Sequence, residues 1–182
     1  GIARTFQNIR LFEHMTVIEN VMVGAHSRSY SALWSAFSGA VLHRPFVQPP
    51  VEKTMRDRAF ELLDFMGLGQ KMDEGAEDLA YGERRRLEIA RALAIEPRLL
   101  LLDEPAAGMN PNETLELDEH IKRIRDRGVT IVLVEHDMNL VMGISDQITV
   151  LNFGEKIAEG PPSTVQSDPV VIEAYLGEEE VL

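Results

Sequence analysis

The stretch that decides the fold is Leu99–Pro111, LLLLDEPAAGMNP. Four consecutive leucines run into an acidic pair, Asp103 and Glu104, and Pro105 ends the run. So apolar a segment predicts a strand buried on both faces, hence a parallel sheet covered by helices. Open α/β sheets bind ligands beyond the carboxyl ends of their strands, so both carboxylates stand where chemistry is expected. Asp103 is suited to holding Mg2+, directly or through water, because that ion prefers oxygen ligands. Glu104 can polarise a water that attacks a γ-phosphate. Acidic pairs also serve as plain turn residues, so the neighbouring segments must decide.

On the carboxyl side, Asn110-Pro111-Asn112-Glu113 combines a cap residue, a proline at the first helical position and a glutamate at the third. It predicts a helix start, with the helix running to Arg127-Gly128. TIVLVEHD follows as a second apolar strand, and His136 stands directly after it, presented to a site or simply structural. DQITVLNFGEKIAEG reads as two short strands turning at Gly154.

On the amino side, LAYGERRRLEIARAL (Leu79–Leu93) is a glycine-containing loop that enters a helix. Backbone N–H groups and the positive end of the helix dipole favour phosphate there. The alternative is an ordinary loop-to-helix junction with a basic exposed face. Earlier still, RTFQNIRLF places Gln7 just past a strand end, a position that surface glutamines also occupy. Thr16 with Glu19 three residues on has capping-box spacing and predicts a helix. Pro49-Pro50 opens a long helix that Gly67 ends. Ser27–Pro50 reads as one short helix and a loop, with YSALWSAF as helical-lobe core in preference to a partner-facing patch. The alternation of strand and helix implies an α/β fold with helices on both faces of a parallel sheet.

The 182 residues carry a formal charge of −12. Phosphate-backbone contacts need a basic surface, so a nucleic-acid partner is not expected. No cysteine is present, which excludes disulfides. No apolar run is long enough to span a bilayer. His14, His26, His43 and His120 show no metal-ligand spacing and are expected at the surface. The opening GIARTF lacks an initiating Met and reads as mid-strand, so an upstream portion is expected.

Gln7, LAYGE, the DEP strand end and His136, in this order and at this spacing, resemble the nucleotide-binding domain of an ABC ATPase. RTFQNIRLFEHMTVIENVMVGAH, DEPAAGMNP, VEHDMNLVMGISDQITVLNFGEKIAEGPP and the closing AYLGEE are similar to ATP-binding subunits of branched-chain amino-acid importers. The resemblance implies an α/β fold, a partial P-loop NTPase-like parallel sheet flanked by helices, with a helical subdomain. It divides the chain into residues 1–15 (strand end and Gln loop), 16–78 (helical subdomain), 79–160 (signature helix, core, Walker B and switch histidine) and 161–182 (terminal helix and acidic tail). It implies that Gln7 touches Mg2+ and the attacking water, that Asp103 supports Mg2+, that Glu104 is the general base and that His136 bonds the γ-phosphate. The signature residues Leu79, Ala80, Tyr81, Gly82 and Glu83 would cap ATP held by a second subunit, with Asn110 facing that subunit. ATP and Mg2+ are the implied substrate and cofactor. The implied partners are a second ABC ATPase subunit, membrane permease subunits and, indirectly, a substrate-binding protein, at the cytoplasmic face of the plasma membrane.

Two departures qualify this. Ala80, Tyr81 and Glu83 replace the commoner Ser, Gly and Gln of the signature. The loop G-x-x-x-x-G-K-[ST] is missing, for none of Lys53, Lys71, Lys122 and Lys156 follows a glycine. In the family that loop precedes the Gln loop, so these 182 residues are expected to be unable to bind ATP alone. The alternatives are an exporter ATPase of the lipopolysaccharide-export type and a soluble ABC protein outside transport.

Overall fold

In the computed structural model, which describes residues 1–25 and 50–175, the leucine run is strand β2, Leu99–Asp103. It lies between β1 (Ile2–Arg4) and β3 (Thr130–Val134), parallel to both. Leu100 and Leu102 are fully buried, whereas Leu99 and Leu101 are half-buried. On β3, Val132 and Val134 stay exposed. Burial on both faces was expected from the apolar run. Alternate side chains point to opposite faces, and the described residues of this unit cover only one of them closely.

Helix α1 begins at residue 17, and its described part reaches residue 25. Its start is the reciprocal box anticipated from spacing: Thr16 N–H donates to Glu19 Oε2 (2.8 Å) and Glu19 N–H to Thr16 Oγ1 (3.3 Å). Helix α2, Pro50–Phe65, ends before Gly67 at φ +72°, a left-handed conformation that glycine adopts without strain. Two short 3₁₀ turns, Gly69–Lys71 and Ala76–Asp78, lead to helix α3, Tyr81–Leu93. Helix α4, Pro111–Asp126, starts at Asn110. Asn110 Oδ1 accepts from the N–H groups of Asn112 (3.0 Å) and Glu113 (3.1 Å), and Glu113 Oε2 accepts from Asn110 N–H (3.0 Å). Leu63, Met66, Leu87, Ile89, Leu117 and Ile124 are buried apolar residues of this unit, Gly1–Val134.

The second compact unit is Glu135–Leu182. It contains α5 (Met138–Ile144), capped by Asp137, and an antiparallel pair, β4 (Ile148–Asn152) and β5 (Glu155–Gly160). Phe153 (φ 47°) and Gly154 (φ 84°) form the two-residue turn, both left-handed as this tight hairpin requires. Ile148 and Val150 pack with Val165 of α6 (Pro162–Val165) and Val171 of α7 (Pro169–Tyr175). The carboxyl-terminal segment thus folds as two short helices where one was expected. YSALWSAF and the acidic tail lie outside the described residues.

Candidate functional site

Asp103 is the last residue of β2, where its half-buried carboxylate accepts a 3.0 Å hydrogen bond from Arg4 Nη2. Glu104 follows with φ +43°, a conformation that costs a non-glycine residue energy and is usually retained where position matters. Its N–H is bonded to Val134 O of β3 at 2.9 Å, so the neighbouring strand holds the strained backbone in place. Gln7 Nε2 donates to Glu104 Oε2 at 2.8 Å across 97 residues of sequence. The three acidic and amide side chains named from sequence are therefore brought together at one strand edge.

That donor set fits a hard cation. Gln7 donates an amide N–H to Glu104, so its amide oxygen and the carboxylate of Asp103 are the hard oxygen donors this strand end offers. Mg2+ is typically held by one or two protein oxygens, with phosphates and waters completing its shell. Among the described residues no group of three or more His, Cys, Asp or Glu is gathered for a metal.

The segment Leu79–Glu83 is built against the start of α4. Ala80 occupies the cap position of α3 but has no side-chain oxygen, so the box is one-sided: Ala80 N–H donates to Glu83 Oε2 at 3.0 Å, while its methyl side chain accepts nothing from the first turn. Glu83 also pairs with Lys71 at 2.8 Å. Partial burial pushes its acidity down, but the Lys71 hydrogen bond, the Ala80 N–H and nearby cations outweigh that and hold its carboxyl below the usual range. A Cβ on Gly82 would stand 2.7 Å from Glu113 Oε1, and one on Gly108 would stand 3.3 Å from the Tyr81 ring. Arg86 adds an ion pair to Glu116. Close approach at Gly82 thus sets Leu79–Glu83 beside Asn110, whose side chain is committed to capping.

The arginine run departs from a uniformly basic exposed face. Arg85 is completely buried and pairs with buried Glu88 at 2.8 Å. Its guanidinium donates to the carbonyls of Phe6 and Gln7, both at 2.7 Å. His120 also departs from expectation. It is buried on α4, edge-on to Phe65 at 6.4 Å, with Nδ1 unpaired. Burial, then the charges of Arg86 and Arg123, push its pKa down to about 4. His14 is exposed as expected, and His26 and His43 lie outside the described residues. His136 belongs to the second unit, where it follows β3 with an exposed imidazole, its Nδ1 4.0 Å from Glu135.

Residues 1–107 match the family described as "ABC transporter". The chain belongs to the ABC transporter family. Residues 155–181 of this cassette also match "Branched-chain amino acid ATP-binding cassette transporter". The cassette is 49% identical over 179 residues to the Escherichia coli (strain K12) high-affinity branched-chain amino acid transport ATP-binding protein LivG, covering 98% of the cassette and 68% of that protein. In structure it is similar to the ADP conformation of MJ1267, an ATP-binding cassette of an ABC transporter, with a TM-score of 0.76 and 32% identity. That likeness covers 97% of the cassette and 68% of that chain. It is also similar to the dimeric post-hydrolysis state of the cassette MJ0796 bound to ADP and Pi (TM-score 0.68, 25% identity, 88% of the cassette and 62% of that chain). The fold is that of an ABC ATPase, and its sheet and helices belong to the P-loop NTPase class.

Proposed function

We propose that this chain provides hydrolytic machinery for the ATP-binding subunit of an importer of branched-chain or related amino acids. The observation that carries the reading is the hydrogen bond from Gln7 Nε2 to Glu104 Oε2 at the strand end that also presents Asp103. Asp103 and the Gln7 amide oxygen would hold Mg2+, which when bound offsets the charge of the triphosphate and orients it. Glu104 is the general base: its carboxylate accepts the proton of the attacking water, and its fixed backbone keeps that oxygen in place. Gln7 orients Glu104 and the water. His136 bonds the γ-phosphate.

The signature residues Leu79, Ala80, Tyr81, Gly82 and Glu83, with Asn110 alongside, form the surface that faces a second ATPase subunit and caps its nucleotide. With no hydroxyl on Ala80, backbone N–H groups at the start of α3 supply that contact. Permease subunits and a substrate-binding protein complete the assembly, the cassette lying at the cytoplasmic face of the plasma membrane. Among the described residues no helix is long and apolar enough to cross a membrane. The match at 155–181 favours an importer over an exporter ATPase.

The test is ATP hydrolysis by the assembled transporter carrying Glu104→Gln, with nucleotide binding measured in parallel. Loss of hydrolysis with retained binding supports the assignment, and full turnover by the variant refutes it. Uptake of labelled leucine into vesicles by the unmodified transporter tests the substrate class, and transport of an unrelated solute in its place would overturn that part.

A further inference from the structure

The loop that carries Gln7 makes no backbone-to-backbone hydrogen bond, among the described residues, between Thr5, bonded to Leu101 O, and Phe12. Side chains hold it instead. Asn20, fully buried on α1, accepts from Phe12 N–H (2.9 Å) and donates to Phe12 O (3.0 Å), fixing the far end. The near end is fixed by α3: Arg85 Nη1 donates to Phe6 O and Nη2 to Gln7 O, each at 2.7 Å. Glu88, one turn along, accepts Arg85 Nη1 through Oε2 (2.8 Å) and Arg10 N–H through Oε1 (3.3 Å).

We propose that the Arg85–Glu88 pair is the positioning device that sets where Gln7 stands against Glu104, and so ties that contact to the helix that begins at the signature residues. The inference rests on the hydrolytic reading of Gln7 and Glu104. A buried ion pair is a poor source of stability, because desolvating two charges cancels most of their attraction. Arg85 Nε is buried without a partner, so the pair is not optimised for stability even locally. What it does supply is geometry. A planar guanidinium fork spans two successive carbonyls at fixed angles, which a lysine ammonium cannot. Because α3 starts at Tyr81, any shift of that helix along its axis moves the carbonyls of Phe6 and Gln7 with it. Arg85 and Glu88 touch no reacting atom and act through Gln7.

The experiment compares Arg85→Lys, the apolar pair Arg85→Met with Glu88→Leu, Gln7→Ala and Glu104→Gln in the assembled transporter. For Arg85→Lys and for the apolar pair, kcat for ATP falls on the order of tenfold to a hundredfold, the loss expected of a misplaced group, while KM for ATP is little changed. Adding Gln7→Ala to the apolar pair causes no further loss, because both act through the same side chain. Hydrogen exchange of the residue 6–11 amides speeds up in both variants, while that of β2 does not. Arg85→Lys keeps the charge and the partner, so the test stands if the apolar pair fails to fold. Wild-type turnover, a loss that adds to that of Gln7→Ala, or a matching rise in KM overturns the proposal. Undiminished hydrolysis by Glu104→Gln overturns the reading beneath it instead.

Discussion

Gln7 and Glu104, 97 residues apart, are joined by a 2.8 Å hydrogen bond at the end of the central strand. The bond leaves one oxygen of Glu104 free to accept from water and the amide oxygen of Gln7 free for a cation. It also links two loops that are otherwise anchored separately, one through Arg85 and the other through Val134 O.

If Glu104 is the base, as proposed, Glu104→Gln removes it but keeps the shape, so hydrolysis in the assembled transporter should fall by roughly a hundredfold or more, with nucleotide affinity preserved. Gln7→Ala leaves the base in place but unoriented and should cost less. Steady-state phosphate release with parallel equilibrium binding reads both.

Gly82→Ala drives a Cβ into Glu113, at 2.7 Å from Oε1, and must displace the side chain that completes the α4 cap. The expected loss is about 1 kcal/mol, the usual worth of a helix cap. In a Glu113→Ala background the same change should cost almost nothing. Urea denaturation of the four proteins forms the double-mutant cycle, and equal costs in both backgrounds would refute the contact.

Gly24 sits in α1 against α3, where a Cβ would lie 2.3 Å from Arg91 O. That neighbour is backbone and cannot swing aside, so Gly24→Ala should cost about 1–3 kcal/mol through overpacking. Unchanged stability by denaturant titration would show that the two helices can separate without penalty.

His120 makes stability depend on pH. Its native pKa, pushed down to about 4, lies below the ordinary 6.5. Below pH 6.5 the unfolded chain takes up a proton that the native chain refuses, so stability is complete above that pH. It is lost as pH falls through 6.5 toward 4, by up to about 3 kcal/mol. His120→Leu should flatten this part of the pH profile in chemical denaturation, without the loss that a removed hydrogen bond would bring, because Nδ1 has no partner.

The local features were legible because short-range physics decides them. The run LLLLDEP announced a strand of a parallel sheet with its acidic end. Thr16 with Glu19 and Asn110 with Glu113 announced two helix starts, and Gly154 announced a hairpin. The order Gln7, Leu79–Glu83, Asp103-Glu104, His136 announced the family. Each of these rests on residues within a few positions of one another, or on their order alone.

Tertiary packing decided the rest. Arg84, Arg85 and Arg86 are equivalent in sequence, yet successive helical residues point about 100° apart, and of the three only Arg85 is fully buried. Its partners, the carbonyls of Phe6 and Gln7, lie 79 and 78 residues away, and no local pattern reports them. His120 looked like a surface residue because its burial depends on what packs against α4. Nothing in the sequence around Gly82 and Gly24 reports that Glu113 and the Arg91 backbone come against them. Sequence alone thus determined the strand, its caps and its chemical groups, for these follow from periodicity and neighbouring side chains. Which arginine is buried, which glycines cannot change and how Gln7 meets Glu104 were decided only when distant segments excluded water between them, because buried polar groups must then find their partners in each other.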